Sequence, residues 1–311
     1  MERNMRMRDR MKTALGAGMI LSALLFSACT EKPQPADPSE IYAMLPEDIT
    51  DAELWKGSGE DGVALYYPAE FPEHMKEHTV NLYRVSEETG VPGEPEGMYS
   101  IVLYDRGETA LYRADAYTVY PKEEKTYIVC DSGTYYADPE LYEFIEETFR
   151  KEKESMADMS GYPLLETVNH RFREMSFLES IDLFRTKGTG ILLWGDPSCW
   201  FCQRAVPVLN EAASEEHALV SYIAVYGPGN NLTKEEYEEF CGYMQDVFAE
   251  EAKDREPGFQ MPEVLALKDG KIMAHHLSLA PDFDAQSQDM MNEEQKAQLK
   301  EIYREIIRSI R

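Results

Sequence analysis

Cys199-Trp200-Phe201-Cys202 sets two sulfurs three positions apart. The run before it, Gly190-Ile191-Leu192-Leu193-Trp194, reads as a buried strand. Gln203-Arg204-Ala205-Val206-Pro207-Val208-Leu209 after it reads as the opening of a helix. At a strand-to-helix junction such a pair can close a small disulfide ring. The first thiol then lies at a helix N-terminus, where the partial positive charge of the helix end favours the thiolate and sharpens the nucleophile at neutral pH. A C-x-x-C alone says little; in this setting it points to thiol–disulfide chemistry.

About sixty residues on, Gln260-Met261-Pro262-Glu263-Val264-Leu265-Ala266-Leu267 leads into Lys268-Asp269-Gly270-Lys271-Ile272. A proline opens an apolar strand, and an Asp-Gly turn sends a second strand back, a hairpin signal.

With these two features the stretch from about Val168 to Arg311 resembles the thioredoxin-like superfamily. The resemblance implies that Pro262 is a cis-proline facing Cys199 and Cys202, that these three residues form the catalytic set, and that Met261 flanks the substrate groove. Trp200 and Phe201, between the sulfurs, offer an apolar lip for an unfolded polypeptide; the plainer reading has one packed under the loop and the other partly exposed. The segment Asp196-Pro197-Ser198-Cys199-Trp200-Phe201-Cys202-Gln203 is most similar to the bacteriocin-transport-accessory-like branch of Gram-positive bacteria. It departs from thioredoxins at three places. Leu193 stands where they bury an acid, Ser198 where they carry Trp, and Trp-Phe where they carry Gly-Pro. The absent acid removes the usual proton acceptor for the second cysteine.

The elements needed to position these groups can be read around them. Val168 to Met175 is a first strand, and Ser176-Phe177-Leu178-Glu179 is a capping box opening a helix to about Thr186. Strand 190–194, the C-x-x-C helix to about His217 and strand Leu219 to Val225 make a βαβ unit. Thr233 to about Lys253 reads as one helix, 263–267 and 271–276 as the hairpin. Asn292 to Ile310, with Leu299, Ile302, Ile306 and Ile310 at helical spacing, reads as a closing helix. The expected fold is an α/β thioredoxin-like C-terminal domain, 160–311, in βαβαββα order.

A small antiparallel β-rich α+β domain, 41–156, is expected before it. Tyrosine- and valine-rich runs at 62–67, 79–85, 98–104, 109–120 and 125–136 are separated mostly by turn residues, and a helix from Pro139 to about Glu154 closes them. The tyrosine stripe reads as a half-buried sheet face.

The first residues address the chain. Arg3, Arg6, Arg8, Arg10 and Lys12 precede an apolar stretch from Thr13 to Phe26, too short to span a bilayer, and Leu25-Phe26-Ser27-Ala28-Cys29 is similar to a lipobox. Residues 1–28 therefore read as a lipoprotein signal peptide, with Cys29 lipidated and 29–40 a Pro-rich tether to the extracytoplasmic face of a bacterial membrane. Loss of the five basic and two acidic residues of 1–28 would take the net charge from −27 to −30. A surface that acidic argues against nucleic acid and against anionic head groups.

Cys130, in an apolar strand, and Cys241, in an amphipathic helix, read as buried free thiols. His275 and His276 lack the paired spacing of a zinc site, so no metal is expected, and no cofactor is expected either. The resulting expectation is a membrane-anchored thiol–disulfide oxidoreductase whose partners are client protein thiols or disulfides and a redox partner. The alternative is a non-catalytic surface or transport-accessory binding protein in which the Cys199–Cys202 disulfide is only structural.

Overall fold

Alternating aromatic and β-branched residues between Ile49 and Ala137 build, in a computed structural model of the protein, seven strands of an eight-stranded antiparallel sheet. The structure describes residues 34–36, 49–56, 63–68, 83–84, 99–106, 112–122, 125–130, 133–165, 169–251, 259–284 and 290–311. The signal segment 1–28 and the lipidation site Cys29 lie outside the described residues. Among the described residues, no helix is long and apolar enough to cross a membrane. The chain divides into two units, Met1–Lys153 and Glu154–Arg311.

The strands of the first unit are β1 (Gln34–Pro35), β2 (Ile49–Lys56), β3 (Val63–Pro68), β4 (Tyr83–Arg84), β5 (Tyr99–Arg106), β6 (Tyr112–Lys122), β7 (Lys125–Cys130) and β8 (Gly133–Ala137). They lie in the order β1-β4-β8-β7-β6-β5-β2-β3. Helix α1 (Glu140–Ser155) follows, with Leu141, Ile145 and Phe149 buried at intervals of four along one stripe. The Thr126 hydroxyl accepts the Tyr142 amide at 3.2 Å and satisfies a donor of the helix's first turn. Tyr99 and Tyr135 are fully buried, while Tyr83 and Tyr136 stack at 5.1 Å in half-buried positions.

Three details differ from the sequence reading. The run 125–136 is two strands, β7 and β8, because the chain turns between Cys130 and Gly133, which pair. Strand β2 is an addition; it pairs with both β3 and β5. Gln34 and Pro35, expected in the tether, form an outermost strand on β4, the place where a proline's missing N–H is tolerated.

The second unit is a mixed α/β domain of three layers. Its elements are β9 (Phe172–Glu174), α2 (Phe177–Arg185), β10 (Gly190–Gly195), α3 (Trp200–Glu215), β11 (Val220–Ala224), α4 (Lys234–Tyr243), α5 (Gln245–Glu251), β12 (Glu263–Lys268), β13 (Lys271–Leu277) and α6 (Glu293–Arg308). The sheet order is β13-β12-β10-β11-β9, with β9, β11 and β10 parallel and β12 and β13 antiparallel. Strand β10 is central and buried on both faces, which is why its sequence is an unbroken apolar run. Ile191 and Leu193 face one cluster with Cys202, Val206 and Leu209 of α3 and Tyr303 and Ile306 of α6. Leu192 and Trp194 face the other, with Phe177 and Ile181 of α2, Phe240 of α4 and Val247 of α5.

With α4 and α5 taken together the element order is βαβαβαββα, one strand and one helix longer than βαβαββα, and it matches the elements read one by one from the sequence. Strand β12 pairs with β10 on the side opposite β11, so the chain must cross the sheet between them, and α4 and α5 pack in that crossover. The single helix expected from Thr233 is two, ending and restarting at Met244, whose side chain is fully buried. The first strand is only three residues long. The unit begins at Glu154 rather than 160, since Ala157, Met159 and Tyr162 belong to its core.

Candidate functional site

The parallel strands β10 and β11 deliver their C-terminal ends to one edge of the sheet, and the loop 196–199 leads from β10 into α3 at that edge. Asp196 organises the loop. Its Oδ1 accepts the Ser198 amide at 2.8 Å and the Ser198 hydroxyl, and its carbonyl accepts the Cys199 amide at 3.0 Å. From the first turn of α3, Gln203 Nε2 donates to the carbonyls of Pro197 and Gly161, the latter at 2.8 Å. Gly161 is needed for that approach, because a Cβ there would come within 2.7 Å of the Pro197 ring.

Cys199 is the N-cap of α3 and does with sulfur what serine does with oxygen: its Sγ accepts the Cys202 amide at 3.3 Å. Cys202, one helical turn on, is fully buried, and both cysteines are free thiols. The two sulfurs interact. Donation from the Cys202 S–H pulls the Cys199 thiol down to about 7 against the effect of burial, with help from the Cys202 and Phe201 amides. The Cys202 thiol is pushed far up, first by the neighbouring Cys199 sulfur and then by burial. The pair therefore holds one proton on the inner sulfur and leaves the outer one poised as a nucleophile.

The chain between α5 and β12 returns to this point. Met261–Pro262 is a cis peptide, and the Met261 carbonyl lies 3.7 Å from Cys199 Sγ. The structure thus brings Cys199, Cys202, Met261 and Pro262 together. Trp200 and Phe201 are both half-buried, their rings edge to face at 5.0 Å, so neither is packed away under the loop. The Arg204 guanidinium lies 3.3 Å over the Trp200 ring.

A strap after β13 completes the surroundings, and the sequence carries no signal for it. Ser278, at φ 77°, donates its amide to the Pro262 carbonyl at 2.9 Å, and Phe283 packs 5.9 Å from Trp200. His275 and His276 stand on opposite faces of β13. His275 Nδ1 lies 3.3 Å from the buried Glu263 carboxylate, while His276 Nε2 lies 2.9 Å from the Leu279 carbonyl. Cys241 is partly exposed on α4 rather than buried, and the Cys130 side chain lies outside the described residues.

No protein-family model matches the chain, and no curated protein is significantly similar to it.

Proposed function

We propose that the unit Glu154–Arg311 is a thioredoxin-like thiol–disulfide oxidoreductase domain, carried on a chain anchored through a lipidated Cys29 at the extracytoplasmic face of a bacterial membrane. The observation that carries the chemistry is the sulfur pair: Cys199 Sγ capping α3 with its thiol at about 7, over a buried Cys202 that holds the proton. In this reading the Cys199 thiolate attacks a client disulfide and forms a mixed disulfide. Cys202 then displaces the client sulfur, releasing reduced client and leaving Cys199–Cys202 oxidised. The reverse sequence donates a disulfide. Met261 offers a main-chain acceptor beside the reacting sulfur, Pro262 shapes the groove wall, and Trp200 and Phe201 form the apolar lip.

The test is trapping. Cys202→Ala should accumulate a mixed disulfide through Cys199 on exposure to a disulfide-containing peptide; absence of that adduct overturns the reading. Equilibration of the cysteine pair in glutathione or dithiothreitol buffers then sets direction. A potential near about −270 mV marks a reductase and one near about −120 mV a disulfide donor.

One observation favours a second reading, a non-catalytic binding module with a structural disulfide. Leu193, fully buried among apolar side chains, leaves no carboxylate at the position thioredoxins use to deprotonate the second cysteine. A pair that resists reduction well below about −300 mV would support that reading.

A further inference from the structure

Cys202 is the sulfur that must lose its proton in the resolving step, and it is also the one the fold buries completely. Its surroundings are polar at one point. Gly195 ends β10 without a side chain, and a Cβ built there would lie 3.3 Å from Tyr162 Oη, 3.5 Å from Tyr222 Cε2 and 3.7 Å from Cys202 Sγ. Three functional groups therefore border one small space that the glycine leaves open. The two phenols are joined to each other by a buried hydrogen bond of 2.9 Å, with their rings edge to face at 5.9 Å.

Strand register explains how they get there. Tyr222 on β11 is the direct partner of Leu193 on β10, so its side chain stands on the Cys202 face beside the residue that is apolar here. Asp196 follows Gly195 and is 8 % exposed. Its Oδ1 accepts from the Ser198 amide and hydroxyl, and its negative charge helps to raise the Cys202, Tyr162 and Tyr222 values. From α6, Tyr303 also faces Cys202. Glu263 alternates with Val264 along β12 and pairs with Trp194, so it lies with His275 on the other face of the sheet. Of these two carboxylates, Asp196 is the one whose charge bears on Cys202.

We propose that Asp196 accepts the Cys202 proton in the resolving step, with the Tyr162–Tyr222 hydroxyl pair as positioning residues that hold the thiol and carry its proton toward that carboxylate. This rests on the oxidoreductase reading above. In the mixed disulfide Cys199 no longer accepts from Cys202. The Cys202 proton passes to Asp196, and the Cys202 thiolate forms a bond to Cys199 Sγ. The bond from Cys199 to the client sulfur breaks, and the client leaves as a thiolate that takes up a proton. Two electrons pass from the cysteine pair to the client disulfide, and Asp196 returns its proton to water.

The experiment follows the protein–glutathione mixed disulfide on the full chain, with glutathione disulfide as the probe and acid quench before mass measurement. Asp196→Asn should slow resolution by about 100-fold at pH 7 and make its rate climb with pH where the unaltered chain is flat, and Asp196→Glu should restore most of it. Tyr162→Phe with Tyr222→Phe should slow resolution by about tenfold and leave adduct formation unchanged. Resolution in Asp196→Asn at the unaltered rate and pH profile overturns the proposal. If Asp196→Asn fails to fold, judged by circular dichroism, the tyrosine double variant decides, and an unchanged rate overturns it. A Cys202→Ala chain that forms no glutathione adduct sinks the oxidoreductase reading itself and this assignment with it.

Discussion

The sulfur of Cys199 lies 3.7 Å from the main-chain oxygen of Met261, 62 positions along the chain. Two features that are remote in sequence meet because β10 and β12 are adjacent and antiparallel: the chain leaving β10 and the chain entering β12 share one edge of the sheet. That meeting sets a main-chain oxygen beside a sulfur at a helix N-terminus. An extended peptide running past Met261 would find a main-chain acceptor at the height of the nucleophile.

The first prediction concerns the nucleophile. With its thiol at about 7, Cys199 is half ionised at neutral pH, and the thiolate fraction grows as pH rises. Its alkylation by iodoacetamide should therefore show a midpoint near 7. Since donation from Cys202 is the largest cause of the lowering, Cys202→Ala should move the midpoint up toward the ordinary cysteine value. A Cys199 midpoint at that ordinary value in the unaltered chain would refute the geometry-based account.

A second prediction separates the lip from the sulfurs. Trp200 is held between Arg204, Phe201 and Phe283, half-buried and beside the nucleophile, while the hydrogen bonds that lower the sulfur's value come from Cys202 and Phe201. Trp200→Ala should slow attack on a disulfide within an unfolded polypeptide by about tenfold, as expected for loss of an aromatic contact of one to two kcal/mol. Attack on glutathione disulfide should stay within about twofold. Equal slowing of both would show that Trp200 acts on the sulfur rather than on the client.

The hairpin turn offers a stability test. Asp269 and Gly270 have φ of 52° and 73°, the left-handed pair that a tight two-residue turn requires. A Cβ on Gly270 would also come within 3.0 Å of Lys187 Cα and the Phe184 carbonyl. Gly270→Ala should lower stability by about 2 kcal/mol in urea unfolding, whereas Asp269→Gly should be close to neutral. An unchanged midpoint for Gly270→Ala would mean that the loop 184–188 yields freely.

What was legible in the sequence was local. The unbroken apolar run of β10, the Ser176–Glu179 capping box, the Asp269-Gly270 turn and the stripe through Leu299 and Ile306 each carry their signal within a few residues, and each element lies where that signal places it. Strand β2 escaped because Ile-Thr-Asp-Ala-Glu-Leu-Trp-Lys sets carboxylates inside a run that would otherwise alternate. The break at Met244 escaped because the amphipathic pattern continues across it, Phe240 and Val247 facing the same cluster. Of the candidate site, the sulfurs could be named from spacing and the Met261–Pro262 pair from the family resemblance. Tyr162, Asp196 and Tyr222 could not, since they meet at Gly195 only through the register of β10 with β11.

The last prediction concerns what clamps α6 to α3 behind the site. Glu216 caps the C-terminal end of α3, and its side chain is only 5 % exposed. Arg304 and Arg308 of α6 donate to its Oε1 at 3.0 and 2.8 Å, and Arg311 reaches Oε2 at 2.8 Å and the Glu216 carbonyl. Burial alone would raise this carboxyl; the arginines outweigh it and hold the group below the usual carboxylate range. The three arginines are between 26 and 42 % exposed, so solvent screens part of the attraction. Glu216→Gln should accordingly cost about 2 kcal/mol at pH 7, less than the breaking of a wholly buried pair. The sign with pH follows from the lowered folded value: the stabilisation is complete above the ordinary carboxylate value of 4.5 and is lost as pH falls through the lower folded value. Urea unfolding at pH 7 and at pH 3 should thus show the gap between the unaltered chain and Glu216→Gln narrowing on the acid side. A gap that is constant, or that widens as pH falls, would mean the glutamate contributes by packing and not by charge.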